Sequence, residues 1–203
     1  MQLNLCWSRA TYPWTRWGEA MIDAIYQFDH AVIEWIQLHL AGGWLDPVMA
    51  VITGLGNAGF IWLLSGIIFL FFKRTRPWGI IMLAAVAATF ILGDLVLKPI
   101  VSRARPFIDD PTFKLLISPP SGYSFPSGHS GSSFAAAVSL FTFDKRFGTA
   151  ALCLAALIAF SRVYLYVHYP SDVLTGAALG TCIGLLAAWG YSRWEKRNRQ
   201  KLV

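Results

Sequence analysis

The chain has 203 residues, 56% of them apolar and only 14% charged, with a mean hydropathy of +0.51. Soluble domains carry about 25% charged residues, and disorder needs low hydrophobicity with high net charge, so the composition argues against both. The net charge of +6 sits in short clusters between apolar runs, the distribution of a membrane protein rather than the basic face of a nucleic-acid binder.

The first twenty residues hold Trp7, Trp14, Trp17, Arg9 and Arg16 but no apolar h-region, so no cleavable signal peptide is expected. Residues 19–40 read as an amphipathic helix. Glu19, Asp23, Gln27, His30, Glu34 and Gln37 fall within an arc of about 80° at 100° per residue, and Ile22, Ile25, Phe28, Val32, Trp35 and Ile36 take much of the rest. Such a helix either lies in the membrane interface or packs its stripe on the bundle. Gly42-Gly43 ends it.

Five spans follow, at about 47–72, 78–97, 127–143, 147–163 and 171–191. Each is close to the roughly 20 residues a crossing needs. Pro77 suits the first turn of the second span, and Lys98-Pro99 is expected to end it. The fold class is therefore all-α: a polytopic bundle of about five transmembrane helices plus an N-terminal amphipathic interfacial helix. The domain reading is 1–44 N-terminal segment, 45–192 membrane domain and 193–203 basic tail. Lys73, Arg74, Arg76, Lys145, Arg146 and the basic tail fall on one side, which the positive-inside rule makes cytoplasmic. The long 98–126 segment and the 162–172 loop then lie outside the cytoplasm.

Cys6, Cys153 and Cys182 show no CxxC or Cys/His spacing and read as small apolar residues. Gly176, Gly180 and Gly184 recur at i+4 and form a flat ridge for close helix packing, internal rather than between copies.

Ionisable residues at a membrane boundary are costly and usually functional. Three clusters stand out, all at span ends on one expected side: Lys98 to Pro106, holding Arg103 and Arg105; Pro126 to Ser130, holding Ser127, Gly128 and His129; and Ser161 to Asp172, holding Arg162 and His168. Together they describe an anion site with two histidines. Arginine forks match phosphate oxygens. The helix following Ser127 would offer free N–H groups to an anion, and Gly128 would let backbone approach it. Asp172 stands four residues after His168, so a helical turn would let the two hydrogen-bond. Pro170 disfavours helix at Tyr169, which places His168 just before the last span. Asp94 is positioned to pair with Lys98. Arg103 reads either as a phosphate contact or as a charge behind the site. Tyr123, Phe125, Tyr164, Tyr166 and Tyr169 read either as a headgroup lining or as interfacial belt residues. Residues 107–122 could form a lid.

The patterns K-x6-RP (Lys98, Arg105, Pro106), PSGH (Pro126 to His129) and SR-x5-H-x3-D (Ser161, Arg162, His168, Asp172) resemble the three signature motifs of the type 2 phosphatidic acid phosphatase (PAP2) superfamily. The resemblance covers about residues 45–192, and the five-span form is similar to short bacterial undecaprenyl pyrophosphate phosphatases. That subgroup often has Asp where this chain has Gly128. The resemblance implies a lipid phosphatase working through a phosphohistidine. His168 would attack phosphorus, Asp172 would orient it, and His129 would protonate the leaving oxygen. Lys98, Arg105, Ser127, Gly128 and Arg162 would hold the phosphoryl oxygens. No metal or other cofactor is implied, and the partners are the lipid phosphate and the bilayer, not nucleic acid. Undecaprenyl pyrophosphate is the first-choice substrate. Phosphatidylglycerophosphate, phosphatidate and lipid A phosphatase activities are the alternatives. A vanadate-type haloperoxidase or an anion transporter would use similar charges, but the first is soluble and the second needs no His–Asp pair beside another His.

Overall fold

At the centre of the bundle is the helix with the smallest side chains. The structure, a computed structural model, describes residues 13–200; the expectations for Cys6, Trp7, Arg9 and Lys201 lie outside them. The described residues are helical, without strands. The helices are α1 Pro13–His39, α2 Leu45–Leu55, α3 Phe60–Phe71, α4 Arg76–Phe90, α5 Lys98–Val101, α6 Pro106–Asp109, α7 Gly128–Phe143, α8 Lys145–Tyr164 and α9 Pro170–Gln200. Glycine, serine and alanine dominate α7, and Ser130 to Ser133 and Ala135 to Leu140 are buried. Neighbouring backbones can therefore approach it closely, and it packs most extensively on α9, then α8 and α4.

The glycine ridge does what its spacing predicts. A Cβ on Gly176 would lie 2.5 Å from the Ser127 carbonyl oxygen, one on Gly180 would overlap the Gly131 carbonyl, and one on Gly184 would lie 2.8 Å from that of Ala135. The ridge thus seats α9 on α7. On α3, Trp62 donates its indole N–H to the buried Ser133 hydroxyl at 2.8 Å, which ties that helix to α7 as well.

Three sequence expectations change. The 47–72 span is not one rod: α2 and α3 meet at an angle of 47°. Between them lies a turn at Asn57–Gly59 with positive φ at Ala58 (50°) and Gly59 (69°). Apolar residues flank the break on both sides, so hydropathy alone does not reveal it. Next, Lys98-Pro99 does not end the second span. The helix widens into a π-helical stretch, Ile91–Leu97, continues through α5, and stops at Ser102 with φ 50°. Widening removes the clash between a proline ring and the carbonyl one α-turn back.

The third change concerns crossing length. Among the described residues three helical runs, Arg76–Asp109, Lys145–Tyr164 and Pro170–Asn198, are long and apolar enough to cross a membrane, or four if the bent α2–α3 pair is one span. At 16 residues, α7 is shorter than these, and protein encloses it rather than lipid.

α1 turns a narrow face to the bundle. Asp29, Ile33 and Ile36 are buried, while Met21, Ile22, Ile25, Phe28, Trp35 and Leu38 stay exposed. The expected apolar face is therefore split, with Ile36 inside and most of it outward. Gln37 fastens the helix by donating its amide to the Tyr164 carbonyl at 2.8 Å. At the bundle end bearing Arg76 and Lys145, Trp78, Phe143, Phe147, Tyr191 and Trp194 form a chain of ring contacts.

Candidate active site

His168 is held by the corner between α8 and α9. Val167 and His168 both donate their N–H to the Arg162 carbonyl at 3.2 Å. Pro170 then opens α9 with its preset φ. The Asp172 carboxylate reaches back to accept the Tyr169 N–H at 3.0 Å, the return arm of a capping box. His168 thus precedes the helix and Asp172 sits in its first turn, the arrangement Pro170 implies. His168 is 2% exposed and Asp172 is fully buried.

The tautomer of His168 follows from its neighbours. Nε2 lies 3.0 Å from an Arg105 guanidinium nitrogen. A guanidinium only donates, so Nε2 accepts and the ring hydrogen sits on Nδ1. Nδ1 is 3.7 Å from the Asp172 carboxylate, too far for the direct hydrogen bond expected from sequence. Ser124 bridges the gap: its Oγ is 3.3 Å from Nδ1 and donates to Asp172 Oδ2 at 2.5 Å. Burial pushes the His168 pKa down to about 3, so at neutral pH the imidazole is uncharged with a lone pair on Nε2.

Three cations, Lys98, Arg105 and Arg162, line the cavity with His168. Arg105 also donates to the Gly122, Ser121 and Val167 carbonyls, at 2.9, 3.1 and 2.9 Å. Arg162 is 2% exposed and donates to Thr53 Oγ1 at 2.5 Å. Among the described residues its Nε is buried without a hydrogen-bond partner, and Arg162 lines the same cavity as His168. Lys98 pairs with Asp94, the expected i,i+4 contact. His129 Nε2 lies 3.0 Å from Asn57 Oδ1. A cavity of about 650 Å³ joins Asp94, Lys98, Arg105, Gly128, His129, Arg162 and His168, with Gly59, Leu63, Val86, Ala87 and Phe90 forming an apolar wall.

One residue, Ser127, sits differently from expectation. Ser127 is buried and its side chain caps α7, accepting the Ser130 N–H at 3.4 Å, while its own N–H donates to the Asp172 carbonyl at 3.0 Å. Its hydroxyl therefore positions the helix and does not line the cavity. A Cβ on Gly128 would lie 2.9 Å from the Asp94 carboxylate; Asp94 fills the space that a side chain at 128 would take. The choice for Arg103 falls behind the site, on Asp172 and Asp29 at 2.7 Å each. Among the tyrosines, Tyr164 is buried on Asp46 and Tyr169 under the Arg103 guanidinium. Neither they nor Tyr123, Phe125 or Tyr166 line the cavity. Among the described residues no group of three His, Cys, Asp or Glu side chains is placed to share a metal ion.

The PAP2 superfamily model matches residues 78–196. This chain belongs to the PAP2 superfamily. The PAP2 chain is 35% identical over 171 residues to phosphatidylglycerophosphatase B of Bacillus subtilis, covering 78% of itself and 80% of that protein. It is 35% identical over 145 residues to an undecaprenyl-diphosphatase of Sulfolobus acidocaldarius, covering 70% and 69%. A crystal structure of a transmembrane PAP2-type phosphatidylglycerolphosphate phosphatase from Bacillus subtilis superposes with a TM-score of 0.70 at 31% identity, covering 84% of this chain and 87% of that one. The protein is an integral membrane phosphatase that hydrolyses phosphate esters of lipids.

Sequence reasoning missed four residues of the PAP2 site: Asp29, Thr53, Asn57 and Ser124. Each reaches the site from outside the motifs, and three come from elements far away in the chain. Asp29 left one trace, since it falls outside the polar arc of α1. The others carry no signal beyond being polar near an apolar span.

Proposed function

We propose that the protein removes a phosphoryl group from a polyprenyl lipid, with undecaprenyl pyrophosphate converted to undecaprenyl phosphate as the leading reaction. The observation that carries this reading is the His168 lone pair, held at 3.0 Å by Arg105 in a cavity that Lys98, His129 and Arg162 also line and that has an apolar wall. His168 Nε2 attacks phosphorus and the bond to the leaving oxygen breaks. Ser124 and Asp172 keep the hydrogen on Nδ1 and offset the charge that develops on the ring. Lys98, Arg105, Arg162 and the Gly128 N–H face the phosphoryl oxygens, where donors placed ahead of reaction are worth about 10²–10³ in rate each. His129 protonates the leaving group. Water then cleaves the phosphohistidine, with His129 taking its proton.

The apolar wall supports a lipid whose chain lies between α3 and α4. Phosphatidylglycerophosphate is the second reading, supported by the likeness to the Bacillus subtilis structure. We place the protein in a bacterial inner membrane, crossing five times with α7 as the enclosed span and α1 in the interface. The basic residues at the end opposite the site support an extracytoplasmic active site and a cytoplasmic C-terminus.

Phosphate release by the purified protein in detergent with EDTA tests the chemistry, using undecaprenyl pyrophosphate, phosphatidylglycerophosphate and phosphatidate. The highest kcat/KM is expected for the polyprenyl substrate, with an alkali-stable phosphoenzyme that His168→Ala abolishes. Full activity in His168→Ala would overturn the mechanism. Equal kcat/KM on all three lipids would overturn the substrate assignment.

A further inference from the structure

The break between α2 and α3 delivers a polar side chain to the site that no motif contains. The turn Gly56-Asn57-Ala58-Gly59 is closed by the Gly56 N–H on the Thr53 carbonyl and the Gly59 N–H on the Gly56 carbonyl, both at 3.0 Å. Ala58 takes a positive φ of 50°, a conformation uncommon for a residue with a side chain. Gly56 lies directly on the second histidine: a Cβ there would be 2.7 Å from His129 Cδ2. In this geometry the Asn57 carboxamide oxygen meets His129 Nε2 at 3.0 Å. Gly56, Ala58 and Gly59 form cavity wall beside it.

A carboxamide oxygen only accepts, so Nε2 carries the hydrogen of this contact. A neutral imidazole has one N–H. The nitrogen that gains and loses a proton must then be Nδ1. We propose that Asn57 is a positioning residue for the general acid, holding His129 as the Nε2–H tautomer so that its exchangeable proton is delivered from Nδ1. The proposal rests on the acid role given to His129 above.

The protons balance over the cycle. As the phosphorus–oxygen bond breaks and phosphorus bonds His168, the imidazolium of His129 passes its Nδ1 proton to the leaving oxygen. It remains neutral, with Nε2–H still on Asn57. When water attacks the phosphohistidine, Nδ1 takes a proton from that water, and the phosphorus–nitrogen bond breaks. Asp94, Lys98, Arg105, Arg162 and His168 share the cavity with His129, so its charge state is set jointly by these groups and Asn57.

The test compares an alkyl phosphate, whose leaving oxygen needs a proton, with p-nitrophenyl phosphate, whose leaving group does not. General acid catalysis is worth about 10²–10⁴. Asn57→Ala should therefore lower kcat on the alkyl ester about 10- to 100-fold and on the nitrophenyl ester less than about threefold. Asn57→Asp keeps the acceptor and adds negative charge. It should retain most alkyl-ester activity and move the alkaline limb of kcat to higher pH. Equal losses on both esters in Asn57→Ala would overturn the proposal, as would Asn57→Asp performing no better than Ala. Should the Ala variant fail to fold, the Asp variant alone decides: loss of alkyl-ester activity with an unmoved alkaline limb overturns it. The His129→Ala control separates the two readings. If it loses no more on the alkyl than on the nitrophenyl ester, the acid role itself falls, and the assignment to Asn57 with it.

Discussion

Arg103 joins two buried carboxylates from opposite ends of the sequence, donating to Asp29 Oδ2 and to Asp172 Oδ1 at 2.7 Å each. Asp29 also accepts the Ser171 N–H and hydroxyl, at 2.8 and 2.6 Å. α1 is thereby bonded to the first turn of α9, one residue from Asp172. Removing one partner of a buried ion pair costs about 3–5 kcal/mol. Arg103 is 24% exposed, so the lower end applies. Asp29→Ala should destabilise the protein by about 3 kcal/mol and lower kcat with little change in KM, because Arg103 touches Asp172 and not the cavity. Thermal unfolding in detergent and steady-state kinetics check this. Wild-type kcat in Asp29→Ala would show that α1 is only a packing element.

The glycine ridge makes a prediction with a control on its own helix. A side chain at Gly180 would overlap the Gly131 carbonyl, whereas a Cβ at Gly190 meets none of the described residues within 4 Å. Overpacking a tight contact costs about 1–3 kcal/mol or more, and here it pushes Asp172 away from the start of α7. Gly180→Val should lose both stability and activity, and Gly190→Val should retain both. Melting temperature and phosphate release, measured side by side, decide it. Equal behaviour of the two variants would refute close packing as the cause.

The pH dependence of stability has a definite sign. Burial pushes His168 to about 3 from an ordinary value of about 6.5. Between these values the unfolded chain binds a proton that the folded protein refuses, so stability rises with pH across that window. The contribution is complete above about pH 6.5 and is lost as pH falls toward 3. The melting temperature of the wild type should fall more steeply from pH 7 to pH 4 than that of His168→Gln, which has no proton to bind there. Parallel slopes would mean that His168 titrates normally.

Much of this protein is determined by its sequence alone. Apolar runs of spanning length, charges at their ends and three ordered motifs identify a membrane phosphatase, and the motifs name Lys98, Arg105, Gly128, His129, Arg162 and His168, which line one cavity. Periodicity places most helix ends within a few residues, since capping and proline chemistry are local: Pro77 opens α4, Ser127 caps α7 and Pro170 opens α9. The tertiary structure decided what depends on approach between distant segments. It showed the bend at Gly56–Gly59, which hydropathy averages away. It showed the helix passing through Pro99, because a π-helical stretch relieves the ring. It interposed Ser124 between His168 and Asp172, turned Ser127 inward as a cap and sent Arg103 to Asp29. Motif spacing records which residues lie near each other along the chain. A hydrogen bond of 2.8 Å between α1 and α9, or of 3.0 Å between a helix break and His129, is set by how closely distant backbones pack, as Gly56 lies against His129.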